Sequence, residues 1–209
     1  MNTEFLHPNS TQTYVKICGL MDKEMVDVAV AAGAHAVGFV LVKHSPRYIE
    51  RHIADQLMLQ LPNDVVGIAV VQDLPSLDFF ASWNGWIQLC GEENEQTVKD
   101  APCPVIKAMQ WNSEELVRWD GCDNLEAILV DGSTGGLGLS FDVSELATLI
   151  PTLQTPIIIA GGLTPLNVQN VITTAKPQGV DVSSGVEGSL GVKDSELICK
   201  FIQQVQEMH

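Results

Sequence analysis

"YVKIC" (residues 14–18) is the first of eight short apolar runs rich in β-branched residues, and the recurrence of these runs decides the fold. The other seven are AVGFVLV (36–42), VVGIAVV (65–71), WIQLC (86–90), PVIKAM (104–109), AILVD (127–131), PIIIA (156–160) and GVDVSS (179–184). Amphipathic segments that predict helices lie between or after them, at residues 22–33, 76–84, 167–175 and 194–206. Strand alternating with helix eight times predicts an α/β protein with parallel strands, a single-domain (β/α)8 TIM barrel.

A doubly wound open sheet is the structural alternative, because it uses the same alternation with fewer strands. The count of eight, and the absence of a GxGxxG turn after the first run, favour the closed barrel. The length of 209 residues suits one such unit, since closed α/β barrels routinely use about this length around a single core. We therefore predict an N-terminal tail over residues 1–13 and a barrel domain over residues 14–209.

The leader MNTEFLHPNSTQT has no basic start and no apolar core, so we interpret it as a disordered or loosely packed tail and not as a signal peptide. No apolar run approaches the roughly 20 residues that a membrane helix needs. The formal charge is −15, and no cluster of Lys and Arg offsets it locally. The charge therefore argues against nucleic acid and membrane surfaces as partners.

The cysteine pattern bears on location and on metals. There are five cysteines, an odd number, scattered without a CxxC pair or a Cys/His ligand spacing: Cys18, Cys90, Cys103, Cys122 and Cys199. This pattern predicts reduced thiols in a cytoplasmic protein and argues against a metal site.

Two polar residues that end apolar runs are candidate catalytic groups, because the active site of such a barrel lies at the carboxyl ends of its strands. Cys18 ends the first run and Asp131 ends the sixth. A thiol and a carboxylate on opposed strands can act as base and acid across a small substrate, without metal or nucleotide. The alternatives are that Cys18 is a small buried hydrophobe and that Asp131 is a turn or N-cap residue before a glycine-rich loop.

Strand periodicity predicts a buried ion pair beneath these groups. Side chains alternate along a strand, so Lys16 shares a face with Cys18, and Asp181 shares a face with Ser183 on the eighth strand, which neighbours the first. If that face is the interior, Lys16 and Asp181 can pair inside the barrel. An ammonium near Cys18 is also expected to favour its thiolate over a reference thiol with a pKa of about 8.5.

Two glycine-rich loops follow the seventh and eighth runs, where barrels commonly hold a phosphate. AGGLTP (160–165) and DVSSGVE (181–187) combine glycines with small hydroxyl residues, which leaves backbone N–H groups free to face an anion. AGGLTP taken alone is equally typical of a tight turn into a helix. After the second run, HSPRY supplies Arg47, which can clamp a carboxylate with two hydrogen bonds or merely cover a loop.

Several sequence motifs, and the order in which they occur along the chain, resemble those of the phosphoribosylanthranilate isomerase family of tryptophan biosynthesis. They are KICGL, GFV with SPRY, VGIAVV, QLCGEE, VIKA, the Asp131 run with GGLG and FD, AGGLTPLNV, and GVDVSSGVE with GVKD. KICG together with DVSSGVE is specific, whereas several phosphate-binding barrels share AGGL. The resemblance covers nearly the whole chain. It implies a (β/α)8 isomerase that performs an Amadori rearrangement on N-(5-phosphoribosyl)anthranilate.

The resemblance also implies roles for individual residues. Cys18 matches the general base, with Gly19 letting the chain turn close beside it, and Asp131 matches the general acid. Arg47 falls where the family contacts the anthranilate carboxylate. The phosphate contacts fall on Gly161, Gly162, Ser183, Ser184 and Gly185. The iminium nitrogen formed from the substrate is the electron sink, so no cofactor is expected. The expected partner is a small phosphosugar. We expect the chain to be a monomer.

Three positions depart from the family pattern. Cys90 replaces the histidine of the usual QLHG at the aromatic end of the substrate, Leu137 replaces the hydroxyl residue of GGTG, and Ala69 replaces a bulky aromatic residue. They leave two alternatives open. One is a diverged phosphosugar or aminoaldose isomerase, and the other is a phosphosugar-binding barrel without turnover, against which the retention of Cys18 and Asp131 argues.

Overall fold

The eight predicted strands are present and close into a barrel. The computed structural model describes Leu6 and residues 12–132 and 143–208. The strands are β1 (Tyr14–Cys18), β2 (Ala36–Val40), β3 (Val66–Val71), β4 (Trp86–Leu89), β5 (Val105–Gln110), β6 (Leu125–Asp131), β7 (Ile157–Ala160) and β8 (Gly179–Val182). Each is parallel to its neighbours, and β1 pairs with both β2 and β8. This closure confirms the (β/α)8 barrel and excludes the open doubly wound sheet.

Helices connect the strands on the outside of the barrel. They are α1 (Lys23–Ala32), α2 (Arg51–Met58), α3 (Glu95–Lys99), α4 (Ser113–Trp119), α5 (Val143–Leu149), α6 (Val168–Ala175) and α7 (Ser195–Gln206). Their limits follow local chemistry. The Asp22 carboxylate accepts a hydrogen bond from the Met25 N–H before α1, and Gly33 ends that helix at φ 102°. A short antiparallel hairpin, β9 (Glu187–Ser189) and β10 (Val192–Lys193), was not anticipated and follows β8.

The barrel interior is filled with apolar side chains in its lower part, which lies below the carboxyl ends of the strands. It becomes polar towards those carboxyl ends. The lower cluster holds Tyr14, Ala36, Ile68, Trp86, Ile106, Ala127, Leu129, Ile158 and Ala160. Leu6, in the leader, belongs to the same cluster and is buried, so the looseness expected of the leader does not extend to this residue. A packed floor therefore closes the barrel below the polar groups.

The predicted helix at residues 76–84 is wrong. This segment forms a 3-10 turn at Asp78–Phe80, after Pro75. Phe80 and Trp83 are buried and pack edge to face, and the Trp83 Nε1–H donates to the carbonyl oxygen of Trp86 at 2.9 Å. These aromatic contacts with the rest of the barrel override the amphipathic pattern of the segment.

Candidate active site

A cavity of about 630 Å³ opens at the carboxyl ends of the strands. It brings together five of the nine candidate catalytic and substrate-binding residues: Cys18, Arg47, Cys90, Asp131 and Ser183. The other four, Gly161, Gly162, Ser184 and Gly185, lie in the two loops beside it and not in its lining. The barrel thus places the candidate base, acid and carboxylate-binding group around one space.

Backbone geometry around Cys18 leaves room for its thiol. Gly19 has a φ of 78°, and its N–H and that of Leu20 both donate to the carbonyl oxygen of Gly38. Gly38 lies opposite Cys18 in the register of β1 and β2, and a Cβ built there would lie 2.9 Å from the Cys18 sulfur. Glycine at positions 19 and 38 therefore permits both the turn and the thiol beside it.

The predicted ion pair is confirmed. The Lys16 ammonium lies 2.7 Å from Asp181 Oδ1, and the two residues are paired in the register of β1 and β8. Both side chains are buried inside the barrel. Burial opposes the charge on Lys16, but the Asp181 carboxylate and the neighbouring Cys18 together raise the pKa of Lys16 above its ordinary value. Lys16 is therefore an ammonium directly below the cavity.

The Lys16 ammonium lowers the pKa of the Cys18 thiol, as expected from the sequence, but the net shift is in the opposite direction. Burial raises the pKa of the Cys18 thiol, and the lowering by the Lys16 ammonium offsets this only in part. The Asp181 carboxylate raises that pKa further. Burial and the Asp181 carboxylate thus oppose the Cys18 thiolate, whereas the Lys16 ammonium favours it.

Asp131 ends β6 within the lining of the cavity. Its register partners are Gln110 of β5 and Ala160 of β7, and the next residue, Gly132, donates its N–H to the carbonyl oxygen of Ala160. These pairings fix the backbone from which the carboxylate projects. The following GGLG and FD motifs, and with them Leu137, lie outside the described residues.

The two glycine-rich loops meet beside the cavity. Gly161 and Gly162 have φ values of 82° and 67°, a conformation that side chains disfavour. The Asn167 side chain accepts from the Thr164 N–H and donates to the Gly162 carbonyl oxygen, which holds this loop in shape. A Cβ built on Gly185 would lie 1.8 Å from the carbonyl oxygen of Leu163, so only glycine allows the loops to approach this closely.

The Ser183 hydroxyl already has protein partners. It donates to the carbonyl oxygen of Cys18 at 3.1 Å and accepts from the Lys193 ammonium at 3.2 Å. The hydroxyl proton is therefore already used in a hydrogen bond that joins the end of β8 to the end of β1. A phosphate contact at this residue would need its backbone N–H.

Arg47 is held by a residue that the sequence reasoning did not single out. Its Nε and Nη2 donate to Glu187 Oε1 and Oε2 at 2.6 and 3.0 Å. Glu187 also accepts from the Lys193 ammonium at 2.9 Å and from the Gly191 N–H at 3.0 Å. Burial disfavours the charge, but these hydrogen bonds lower the pKa of Glu187 to about 2. In the sequence, Glu187 and Lys193 were marked only by their places in the GVE and GVKD motifs.

A second buried pair forms the opposite wall and was also missed. The Lys107 ammonium donates to Glu93 Oε2 at 2.9 Å and to the carbonyl oxygen of Gly91. The Glu93 carboxylate accepts in turn from the N–H groups of Gly91 and Asp73. This network fixes the loop after β4, which carries Cys90.

The comparisons with known proteins agree with this geometry. The family model described as N-(5'phosphoribosyl)anthranilate (PRA) isomerase matches residues 15–204. The chain belongs to this family. Relatives named N-(5'-phosphoribosyl)anthranilate isomerase include those of Marinomonas sp., 38% identical over 199 residues (90% of this chain, 95% of the relative), and Chromohalobacter salexigens, 38% identical over 205 residues (93% and 94%). The resemblance inferred from the motifs is confirmed.

Solved structures of the phosphoribosylanthranilate isomerase family superpose well on the barrel. The protein from Thermotoga maritima gives a TM-score of 0.83 at 33% identity and covers 94% of this chain and 100% of its own. A complex of a phosphoribosylanthranilate isomerase with reduced 1-(o-carboxyphenylamino)-1-deoxyribulose 5-phosphate gives 0.82 at 32%, with the same coverage. Over the described ranges, the structure contains no group of three or more His, Cys, Asp or Glu side chains that could hold a metal ion.

Of the three departures from the family pattern, Cys90 lines the cavity. It reaches solvent at the mouth, but the surrounding wall shields it enough to raise the pKa of its thiol to about 12, so the thiol is neutral. Gln88 Nε2 donates to the Cys90 sulfur at 3.2 Å, while Gln88 Oε1 is buried without a partner among the described residues. Ala69 packs in the layer between barrel and helices and does not line the cavity.

Proposed function

We propose that this chain is a phosphoribosylanthranilate isomerase of tryptophan biosynthesis. It converts N-(5-phosphoribosyl)anthranilate into 1-(2-carboxyphenylamino)-1-deoxyribulose 5-phosphate. The observation that carries the proposal is the presence of Cys18 and Asp131 in the lining of one cavity, within a chain that the family model spans from residue 15 to residue 204.

The mechanism needs one acid and one base. Asp131 protonates the ring oxygen as the furanose opens, and the anilino nitrogen supplies the electron pair that forms the iminium. Cys18 as thiolate removes the proton from C2, and those electrons move to the nitrogen to give an enolamine, which tautomerises to the ketone. Lys16 supports the base, because its ammonium stabilises the thiolate that burial disfavours.

Binding involves the two ends of the substrate. Arg47 binds the anthranilate carboxylate, and the loops containing Gly161, Gly162, Ser184 and Gly185 bind the phosphate, with Ser183 contributing its backbone. Positive φ at the two glycines of the seventh loop and the close contact of Gly185 with Leu163 support a compact anion site. The related isomerase bound to a reduced deoxyribulose 5-phosphate supports a ligand of this kind.

A fluorescence assay with purified protein tests the proposed function. Consumption of phosphoribosylanthranilate should follow saturation kinetics and need no added metal or cofactor. The diverged isomerase is favoured instead if this substrate is not consumed while other aminoaldose or ketose phosphates are, since Cys90 lies in the cavity. Tight phosphosugar binding with no turnover on any of them would favour the non-catalytic barrel.

Assembly and location extend the proposal. We propose a cytoplasmic protein, because its five cysteines are all free thiols. We propose a monomer, although the phosphoribosylanthranilate isomerase of Thermotoga maritima is dimeric and a solved structure shows monomers generated from it. Light scattering after size exclusion measures the oligomeric state of this chain. Within the described part of the chain, no helix is long and apolar enough to cross a membrane.

Cys90→His is expected to lower KM while kcat stays nearly constant. A neutral thiol is a weak donor, whereas an imidazole can donate to the substrate carboxylate. The gain is about 1.5–3 kcal/mol at best, or roughly 10- to 150-fold in KM. Steady-state kinetics measure it, with Cys199→His on the exposed face of α7 as the control. An unchanged KM would show that the substrate carboxylate does not lie beside residue 90.

A further inference from the structure

The buried Glu187 carboxylate connects Arg47, the candidate carboxylate-binding residue, to the end of β8, which neighbours the strand of Cys18. Glu187 accepts two hydrogen bonds from Arg47, one from Lys193 and one from the Gly191 N–H, and its side chain is 4% exposed. Lys193 donates onward to the carbonyl oxygen and hydroxyl of Ser183. Arg47 and Glu187 are 140 residues apart in the chain, so the barrel alone brings them together.

The geometry leaves one edge of the guanidinium for a ligand. Glu187 occupies the edge formed by Nε and Nη2, and among the described residues no hydrogen bond to Arg47 Nη1 is present. Arg47 itself lines the cavity and its side chain is 19% exposed. A planar guanidinium can bind one carboxylate on each of its edges, so the Nη1 and Nη2 end remains suited to a second carboxylate.

The charges of the cluster favour such a ligand. Arg47 and Lys193 supply two positive charges and Glu187 one negative charge, which leaves the cluster with one excess positive charge. Without Glu187, the two cations would face each other with no carboxylate between them, and the Arg47 side chain would lose both hydrogen bonds that orient it.

We propose that Glu187 is a positioning residue, which holds Arg47 so that its free edge meets the carboxylate of the anthranilate ring. This inference rests on the proposed function. It predicts that loss of Glu187 weakens the binding of ligands that carry the carboxylate and spares ligands that lack it. A merely structural role would weaken both alike.

Glu187→Gln tests the proposal, because it keeps the shape of the side chain and removes its charge. Calorimetry measures two ligands: reduced 1-(o-carboxyphenylamino)-1-deoxyribulose 5-phosphate, and the same compound with an unsubstituted phenyl ring. We expect the variant to bind the first at least about tenfold more weakly than the wild type, and the second within about twofold. Glu187→Asp, which is too short to bridge both cations, should show the same selective loss if the glutamine variant does not fold.

Asp55→Asn is the control. Asp55 on α2 also accepts a hydrogen bond from an arginine Nε, that of Arg51 at 2.8 Å, but neither residue lines the cavity. This variant should bind both ligands as the wild type does.

Two results would overturn the inference, and a third would overturn the function beneath it. Equal losses on both ligands in the Glu187 variants would assign that residue a structural role. A wild type that binds both ligands equally would show that Arg47 does not meet the carboxylate, even with the proposed function intact. A wild type that neither binds the carboxylate ligand nor consumes phosphoribosylanthranilate would refute the proposed function itself.

Discussion

Cys18→Ser and Asp131→Asn should each lower kcat by about 10²- to 10⁴-fold, with much smaller changes in KM. Each variant nearly keeps the size of the side chain but removes the group that can give or take a proton near neutral pH. Both groups act on the transition state, one at C2 and the other at the ring oxygen, so the loss should fall on kcat. Steady-state kinetics with phosphoribosylanthranilate measure both constants.

Cys103→Ser is the control for the thiol. Cys103 is as buried as Cys18, at 7% exposure, but it packs in the layer between barrel and helices and not in the cavity. Its replacement should leave kcat close to that of the wild type. If either catalytic-site variant keeps more than about a tenth of the wild-type kcat, its residue does not carry the role assigned to it.

Lys16→Met is expected to destabilise the fold by roughly 3–5 kcal/mol. The variant fills the same volume but leaves the Asp181 carboxylate buried in the barrel without its partner at 2.7 Å. An uncompensated buried charge is costly, because the interior cannot replace the water that the carboxylate lost. Urea denaturation followed by circular dichroism measures the free energy of unfolding.

Two further variants test the origin of this loss. Lys23→Met removes an ion pair whose side chains are 58% and 57% exposed, and it should leave the free energy of unfolding nearly unchanged. Adding Asp181→Leu to Lys16→Met removes the stranded charge and should recover part of the lost stability. A Lys16→Met unfolding curve that coincides with the wild-type curve would contradict the buried pair as a determinant of stability.

Local patterns in the sequence determined the barrel and the positions of its candidate acid and base. Each strand is marked by a short apolar run between turn residues, and this signal depends on neighbouring residues alone. Alternation along β1 and β8 was enough to predict that Lys16 meets Asp181, because side chains on one face repeat every second residue. The placement of Cys18 and Asp131 followed from the rule that parallel strands in a barrel end on one face.

Only the tertiary structure decided the environment of those groups. The net shift in the pKa of the Cys18 thiol depends on atoms from several strands that surround it, because the effect of burial exceeds that of the Lys16 ammonium. The partners of Arg47 and Ser183 also come from distant parts of the chain, as does the aromatic packing that replaces the predicted helix at residues 76–84. Sequence periodicity specifies which face a side chain occupies, whereas desolvation and hydrogen bonding depend on every group that the closed barrel brings within a few ångströms.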